Sequence, residues 1–155
     1  MKNVKIHYVY YSNKSSIKLA MTATINFITT TGQSLIDLSL FLSPQQQTAF
    51  NDKMQAIIAK NPVEPGMVVP YQVDAQHILL NLVTANKPVA AIPPEIIENG
   101  FVKIRHYVTI HEIKELAIFQ PPFQLLDTGK SKFDHFVKSF LHSITVLDKI
   151  VYYYH

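Results

Sequence analysis

The stretch that decides the fold is ATINFITTTGQSLIDLSLFL, Ala23 to Leu42. Ala23 to Ile28 is a largely apolar, β-branched run and reads as a buried strand. Three threonines and Gly32 follow and read as a turn. Leu35, Leu38, Phe41 and Leu42 then recur at helical spacing, which predicts a helix there. Strand, glycine turn, helix is one way a fold presents backbone N–H groups to a phosphate. Loops of that kind usually carry several glycines, and here Gly32 stands alone.

The same alternation runs outward in both directions. Val4 to Tyr11 reads as a strand, and Ser12 to Ser16 as a polar turn. Ser43 is a candidate N-cap and Pro44 a candidate first residue of a helix running through Phe50, Met54, Ile57 and Ile58 to Lys60, which Asn61-Pro62 ends. Gly66 opens a strand over Met67 to Val73, and His77 to Val83 is another. Thr84 to Pro94 is a proline-containing loop, and Glu95 to Val108 suits a helix. Leu116 to Phe119 is a short strand closed by Pro121-Pro122. Phe133, Phe136, Val137, Phe140, Leu141 and Ile144 mark an amphipathic helix, and Ile150 to Tyr154 a last strand.

Strands alternating with helices predict an α/β fold, a three-layer α/β/α sandwich with a mixed, mostly parallel sheet. The chain of 155 residues is expected to form a single domain over 1–155. Ligands in such folds bind outside the carboxyl ends of the strands. The loops Thr29–Asp37, Thr84–Pro94 and Pro121–Ser131 are therefore the candidate site.

Composition narrows the chemistry. There is no cysteine, so thiol nucleophiles, disulfides and cysteine-ligated zinc are excluded. The net charge of +3 would not repel a phosphate but is short of a nucleic-acid signature. Lys130, Lys132 and Lys138 form only a loose cluster. The start lacks the features of a signal peptide and no run is long enough to span a membrane, so a cytoplasmic location is expected.

Several motifs tempt and are discounted. His111-Glu112-Ile113-Lys114-Glu115 opens like a zinc-protease helix but has Glu115 where the second histidine belongs. QLLDTGKS, Gln124 to Ser131, lacks the first glycine of a phosphate-binding loop, and only one helix and one strand follow it. It reads as a turn, with Ser131 or Asp127 capping the next helix. His135 and His142 share a helix face without a third ligand, so no metal and no cofactor is expected. Tyr152, Tyr153 and Tyr154 could stack on bases but read first as core.

Taken together, the strand-end segments resemble those of a macro domain, the ADP-ribose-binding and de-ADP-ribosylating family. Ile25-Asn26 is similar to the VN pair that ends its buried strand, and Gly32 to the first loop glycine. HILLNLVT, His77 to Thr84, resembles the strand ending in Thr-Lys of the hydrolytic subgroup. Ile96 to Phe101 falls where the family has its I-x-x-GL helix, and LAIFQPP, Leu116 to Pro122, resembles its IAIPPLG strand. The resemblance covers nearly the whole chain in order. It implies ligand-binding residues Asn26, Thr29, Thr30, Thr31, Gly32, Gln33, Ser34, Thr84, Phe123, Gln124, Asp127 and Gly129.

Departures bear on activity. The adenine-binding acid expected after the first strand is missing from Asn13 to Ile17, where Ser15 or Ser16 would stand. Thr29 replaces the second asparagine of the first loop, and Leu35 and Asp37 replace glycines that allow close backbone approach. Ala85 follows Thr84 where the hydrolytic subgroup has lysine, leaving Lys87 and Asp127 as an unorthodox candidate catalytic pair. The resemblance thus implies a module that binds ADP-ribose or a related nucleotide with hydrolase activity weakened or lost. The alternative is a non-enzymatic scaffold that binds a protein or single-stranded nucleic acid. A chance likeness of an unrelated α/β sandwich remains a further alternative.

Overall fold

The computed structural model describes residues 5–10, 23–85, 92–121 and 130–154. They form six strands and three helices: β1 (Lys5–Tyr10), β2 (Ala23–Ile28), α1 (Pro44–Lys60), β3 (Val68–Gln72), β4 (Ile78–Val83), α2 (Pro94–Ile110), β5 (Glu115–Phe119), α3 (Lys130–His142) and β6 (Lys149–Tyr154). The strands make one sheet in the order β1-β6-β5-β2-β4-β3. All neighbours are parallel except β3, which pairs antiparallel with β4. The expected mixed, mostly parallel sheet is therefore present.

The register assigns the two faces. Asn26 pairs with Asn81 and Thr24 with Leu79, so these side chains share one face. Tyr71 pairs with Leu79 and meets Phe50 of α1 edge-on at 5.2 Å, which places α1 over that face. The opposite face carries Phe27 and Leu82. Phe27 meets Phe133 of α3 at 6.2 Å, and Leu82 lies against Gly100 of α2. Phe101 joins α2 to Phe136 and Phe140 of α3. This is the three-layer sandwich, with β2 buried along its whole length.

Local signals explain most element boundaries. Ser43 and Gln46 form a reciprocal capping box, and Pro44 opens α1. Glu112 takes a left-handed φ of 51° after the C-cap His111, so His111 to Lys114 make the turn between α2 and β5, and Glu115 is the first residue of β5. Pro70 sits inside β3 because β3 is an edge. Val83 N–H bonds the Met67 carbonyl, so the paired positions step through 69 and 71, and the nitrogen of Pro70 faces outward. A proline there removes no ladder bond and blunts the edge.

One expected helix is absent. Leu35 to Leu42 does not form an amphipathic helix; only a short 3-10 turn, Leu38–Leu40, is present. Asp37 caps that turn by accepting from Ser39 N–H. Leu40, Phe41 and Leu42 are consecutive and all buried, which no single helix face could achieve. Phe41 packs on Phe119 of β5 at 5.0 Å, so the segment fills the core as an irregular strap. Similarly, α3 begins at Lys130, which puts Ser131 inside the helix rather than at its cap.

Candidate functional site

The site is built where the parallel strands end. β5, β2 and β4 are adjacent, and the residue directly after each is Gln120, Thr29 and Thr84 respectively. All three are polar and buried, at 0%, 0% and 2% exposure. A polar row therefore crosses the top of an otherwise apolar sheet. Each member must find a partner inside the protein, because burying an unpaired polar group costs about 1–3 kcal/mol.

Thr84 donates from both its N–H and its hydroxyl to the Ile28 carbonyl, at 2.8 and 2.9 Å. Thr29 organises the first loop. Its N–H bonds the Gln33 carbonyl at 2.9 Å, and its hydroxyl oxygen accepts from Thr31 N–H at 3.3 Å and Gln33 N–H at 3.2 Å. Thr30 N–H bonds the Ala85 carbonyl, and Gly32 N–H the Thr29 carbonyl. Leu35 N–H returns to the Phe27 carbonyl, and Ser34 bridges Ile28. Gly32 makes the reversal with φ +86°, a conformation that favours glycine. Gln55 of α1 donates to the Thr31 carbonyl at 2.8 Å and holds the turn from outside.

The first loop therefore folds back on the end of β2. The N–H groups of Thr29 to Gln33, and those of Leu35 and Ile36, all have acceptors within the chain. Those donors are not aimed into a cradle, and α1 starts beyond the strap with its own cap. The strand–turn–helix arrangement expected to present amides to a phosphate is thus not the local geometry here.

Beneath the loop lies a buried amide ladder. Asn26 Nδ2 donates to Asn81 Oδ1 at 3.1 Å, and Asn81 Nδ2 to the Val69 carbonyl at 3.0 Å. The Ser34 hydroxyl lies 3.1 Å from Asn26 Oδ1 and 2.7 Å from the Ile36 carbonyl, so its one proton serves either. Asn26 and Ser34 are thereby brought together with Thr29 to Gln33 and Thr84 at one end of the sheet. Among the described residues Thr24 Oγ1 is the one buried side-chain oxygen or nitrogen without a hydrogen-bond partner.

A second cluster was not foreseen. Gln120 Nε2 donates to Asp134 Oδ1 at 3.0 Å and to the Tyr152 hydroxyl at 3.1 Å, and the Tyr152 hydroxyl donates to the same Asp134 oxygen. Tyr152 is almost fully buried and Phe133 lies against its ring, which agrees with its reading as core. The available signal was a glutamine directly before Pro121-Pro122 and an asparagine inside ILLNLV, each polar where the pattern is apolar.

Lys87, Phe123, Gln124, Asp127 and Gly129 lie outside the described residues, as do Ser15, Ser16 and most of the Thr84–Pro94 loop. The side chains of Lys130 and Lys132 do too; Lys138 is exposed on α3. Among the described residues no group of three or more metal-ligating side chains comes together, and no helix is long and apolar enough to cross a membrane.

Solved structures settle which fold this sheet order represents. The macrodomain of Mycobacterium tuberculosis DarG is similar over 96% of this chain and 97% of its own, with a TM-score of 0.77 at 12% identity. The chain has the macrodomain fold. The macrodomain of Thermus aquaticus DarG matches over 97% of this chain and 98% of its own, with a TM-score of 0.69 at 16% identity. A Trypanosoma brucei macrodomain in complex with ADP-ribose matches over 96% of this chain and 63% of its own, with a TM-score of 0.59 at 12% identity. No protein-family model and no curated protein matches the chain. The fold is therefore shared at pairwise identities of only 12% to 16%, and the sandwich expected from the alternation of elements is the one observed.

Proposed function

We propose that this chain is a single macrodomain-fold module, over 1–155, that binds ADP-ribose or a related nucleotide without hydrolysing it. The observation that carries the reading is the buried polar row of Gln120, Thr29 and Thr84 at the ends of three adjacent strands. Its position matches the general rule for ligand sites in α/β sheets, and a similar fold is held with ADP-ribose in the trypanosomal structure. Asn26, Thr29, Thr30, Thr31, Gly32, Gln33, Ser34 and Thr84 line this end, with Phe123, Gln124, Asp127 and Gly129 expected to complete it. A cytoplasmic module fits the reading.

Calorimetric titration with ADP-ribose, NAD and AMP tests it. Saturable heat with ADP-ribose is expected; no heat and no thermal shift at millimolar ligand would refute it. Incubation with an ADP-ribosylated substrate is expected to release no ADP-ribose. Release that is lost in both Lys87→Ala and Asp127→Ala would establish the unorthodox hydrolytic pair instead.

One observation favours a second reading. The first-loop amides are already engaged internally, which suits a scaffold that has given up its pocket and binds a protein or single-stranded nucleic acid. Salt-dependent binding of single-stranded nucleic acid, weakened by Lys138→Ala, together with silence toward nucleotides, is the result it predicts.

A further inference from the structure

Gln120, Asp134 and Tyr152 come from three elements and converge on a single oxygen. Gln120 is the first residue after β5, Tyr152 lies near the end of β6, and Asp134 is in the second turn of α3. Ile118 pairs with Ile25, and continuing that register sets Gln120 beside Phe27, one residue below Ile28 and the first loop. The cluster therefore stands at the same end of the sheet as Thr29 and Thr84.

The carboxylate is held asymmetrically. Oδ1 accepts from the Gln120 amide and the Tyr152 hydroxyl. Oδ2 has no partner among the described residues, although Asp134 is half-buried. Two donors on one oxygen fix both the rotamer and the plane of the group. A solvated aspartate needs no such support, whereas a group that must meet a ligand in one orientation does. By contrast Asp37 is exposed, and its Oδ1 accepts from the Ser39 N–H and hydroxyl.

We propose that Asp134 is a ligand-contacting residue: its Oδ2 accepts a hydrogen bond from a sugar hydroxyl of the bound nucleotide. This rests on the nucleotide-binding reading above. A carboxylate repels phosphates, so its partner is a neutral donor of the ligand. A hydroxyl-to-carboxylate bond is charge-assisted and stronger than a neutral pair. Gln120 and Tyr152 are positioning residues that act through Asp134.

Asp134→Asn isolates the claim. The amide keeps a carbonyl oxygen for Gln120 and Tyr152 and turns only the free oxygen into a donor. The full chain, wild type and D134N, is titrated with ADP-ribose and with its 2′-deoxy and 3′-deoxy sugar analogues, and each is melted. The expected result is an unchanged melting temperature and a loss of ADP-ribose affinity of about tenfold or more. The deoxy analogue that lacks the contacted hydroxyl binds both proteins alike. Wild-type binding with equal D134N affinity overturns the inference and leaves the nucleotide reading standing. So does a full D134N deficit with every deoxy analogue. No binding of any ligand to the wild type overturns both. If D134N does not fold, Tyr152→Phe decides: a partial loss of ADP-ribose affinity supports the contact, and unchanged affinity overturns it.

Discussion

Asn26 and Asn81, 55 residues apart in sequence, face each other in register on β2 and β4 and share a fully buried amide hydrogen bond of 3.1 Å. Two amides inside an apolar sheet stabilise only as a pair. Replacing Asn26 with leucine removes the donor and leaves Asn81 Oδ1 buried and unpaired, a cost of about 1–3 kcal/mol. Chemical denaturation should show that loss in Asn26→Leu. The double variant Asn26→Leu/Asn81→Leu should lose less than the sum of the two singles, because it leaves no orphaned amide. Strict additivity would mean that the pair is not coupled.

Gly100 of α2 lies directly against Leu82 of β4. A Cβ built there would stand 2.3 Å from Leu82 Cδ1 and 2.4 Å from its Cγ. The clash reaches the branch point of a buried leucine, so a rotation of the leucine tip cannot relieve it. Gly100→Ala is expected to destabilise by about 1–3 kcal/mol, despite the higher helix propensity of alanine. Adding Leu82→Ala should recover part of the strain, seen as sub-additive losses in urea melts.

Gly32 should respond for a different reason. Its φ of +86° is unfavourable for any L side chain, while the nearest obstacle, Ile58 Cδ1 at 3.0 Å, is the end of a flexible side chain. Gly32→Ala is expected to cost about 1–2 kcal/mol, chiefly from the backbone. Faster amide hydrogen exchange at Thr31 and Gln33, with α3 unaffected, would locate the effect in the first loop.

Asp74 shapes the β3–β4 hairpin. Its pKa is lowered, first by the Gln76 N–H that it accepts and next by the His77 side chain. A depressed carboxylate contributes stability above its unfolded pKa and loses it as pH falls through the folded value. The Gln76 amide resonance should therefore show no Asp74-linked shift on acidification until below the ordinary aspartate range, and then move. A midpoint at or above that range would contradict the arrangement. In Asp74→Ala the transition should be absent.

The amino-acid sequence by itself determined the order of the elements and nearly all their limits. Apolar runs such as ATINFI and ILLNLV, the Ser43-Pro44 cap and the stripe from Phe133 to Leu141 are local signals, and each became the expected strand or helix, with Ile144 falling just beyond α3. It also indicated the end of the sheet at which polar groups would gather, because strand ends follow from strand limits. The tertiary structure alone decided what those groups do. Leu35 to Leu42 has helical spacing, yet packing of Phe41 on Phe119 outweighs that weak preference and leaves a strap. Thr29 is one residue in the chain but an acceptor for two N–H groups in space. Asn81 with Asn26, and Gln120 and Tyr152 with Asp134, are partners only because strands distant in sequence lie side by side. Local propensity sets which segment becomes a strand or a helix; long-range register sets which polar side chains meet, and that pairing carries no local signature.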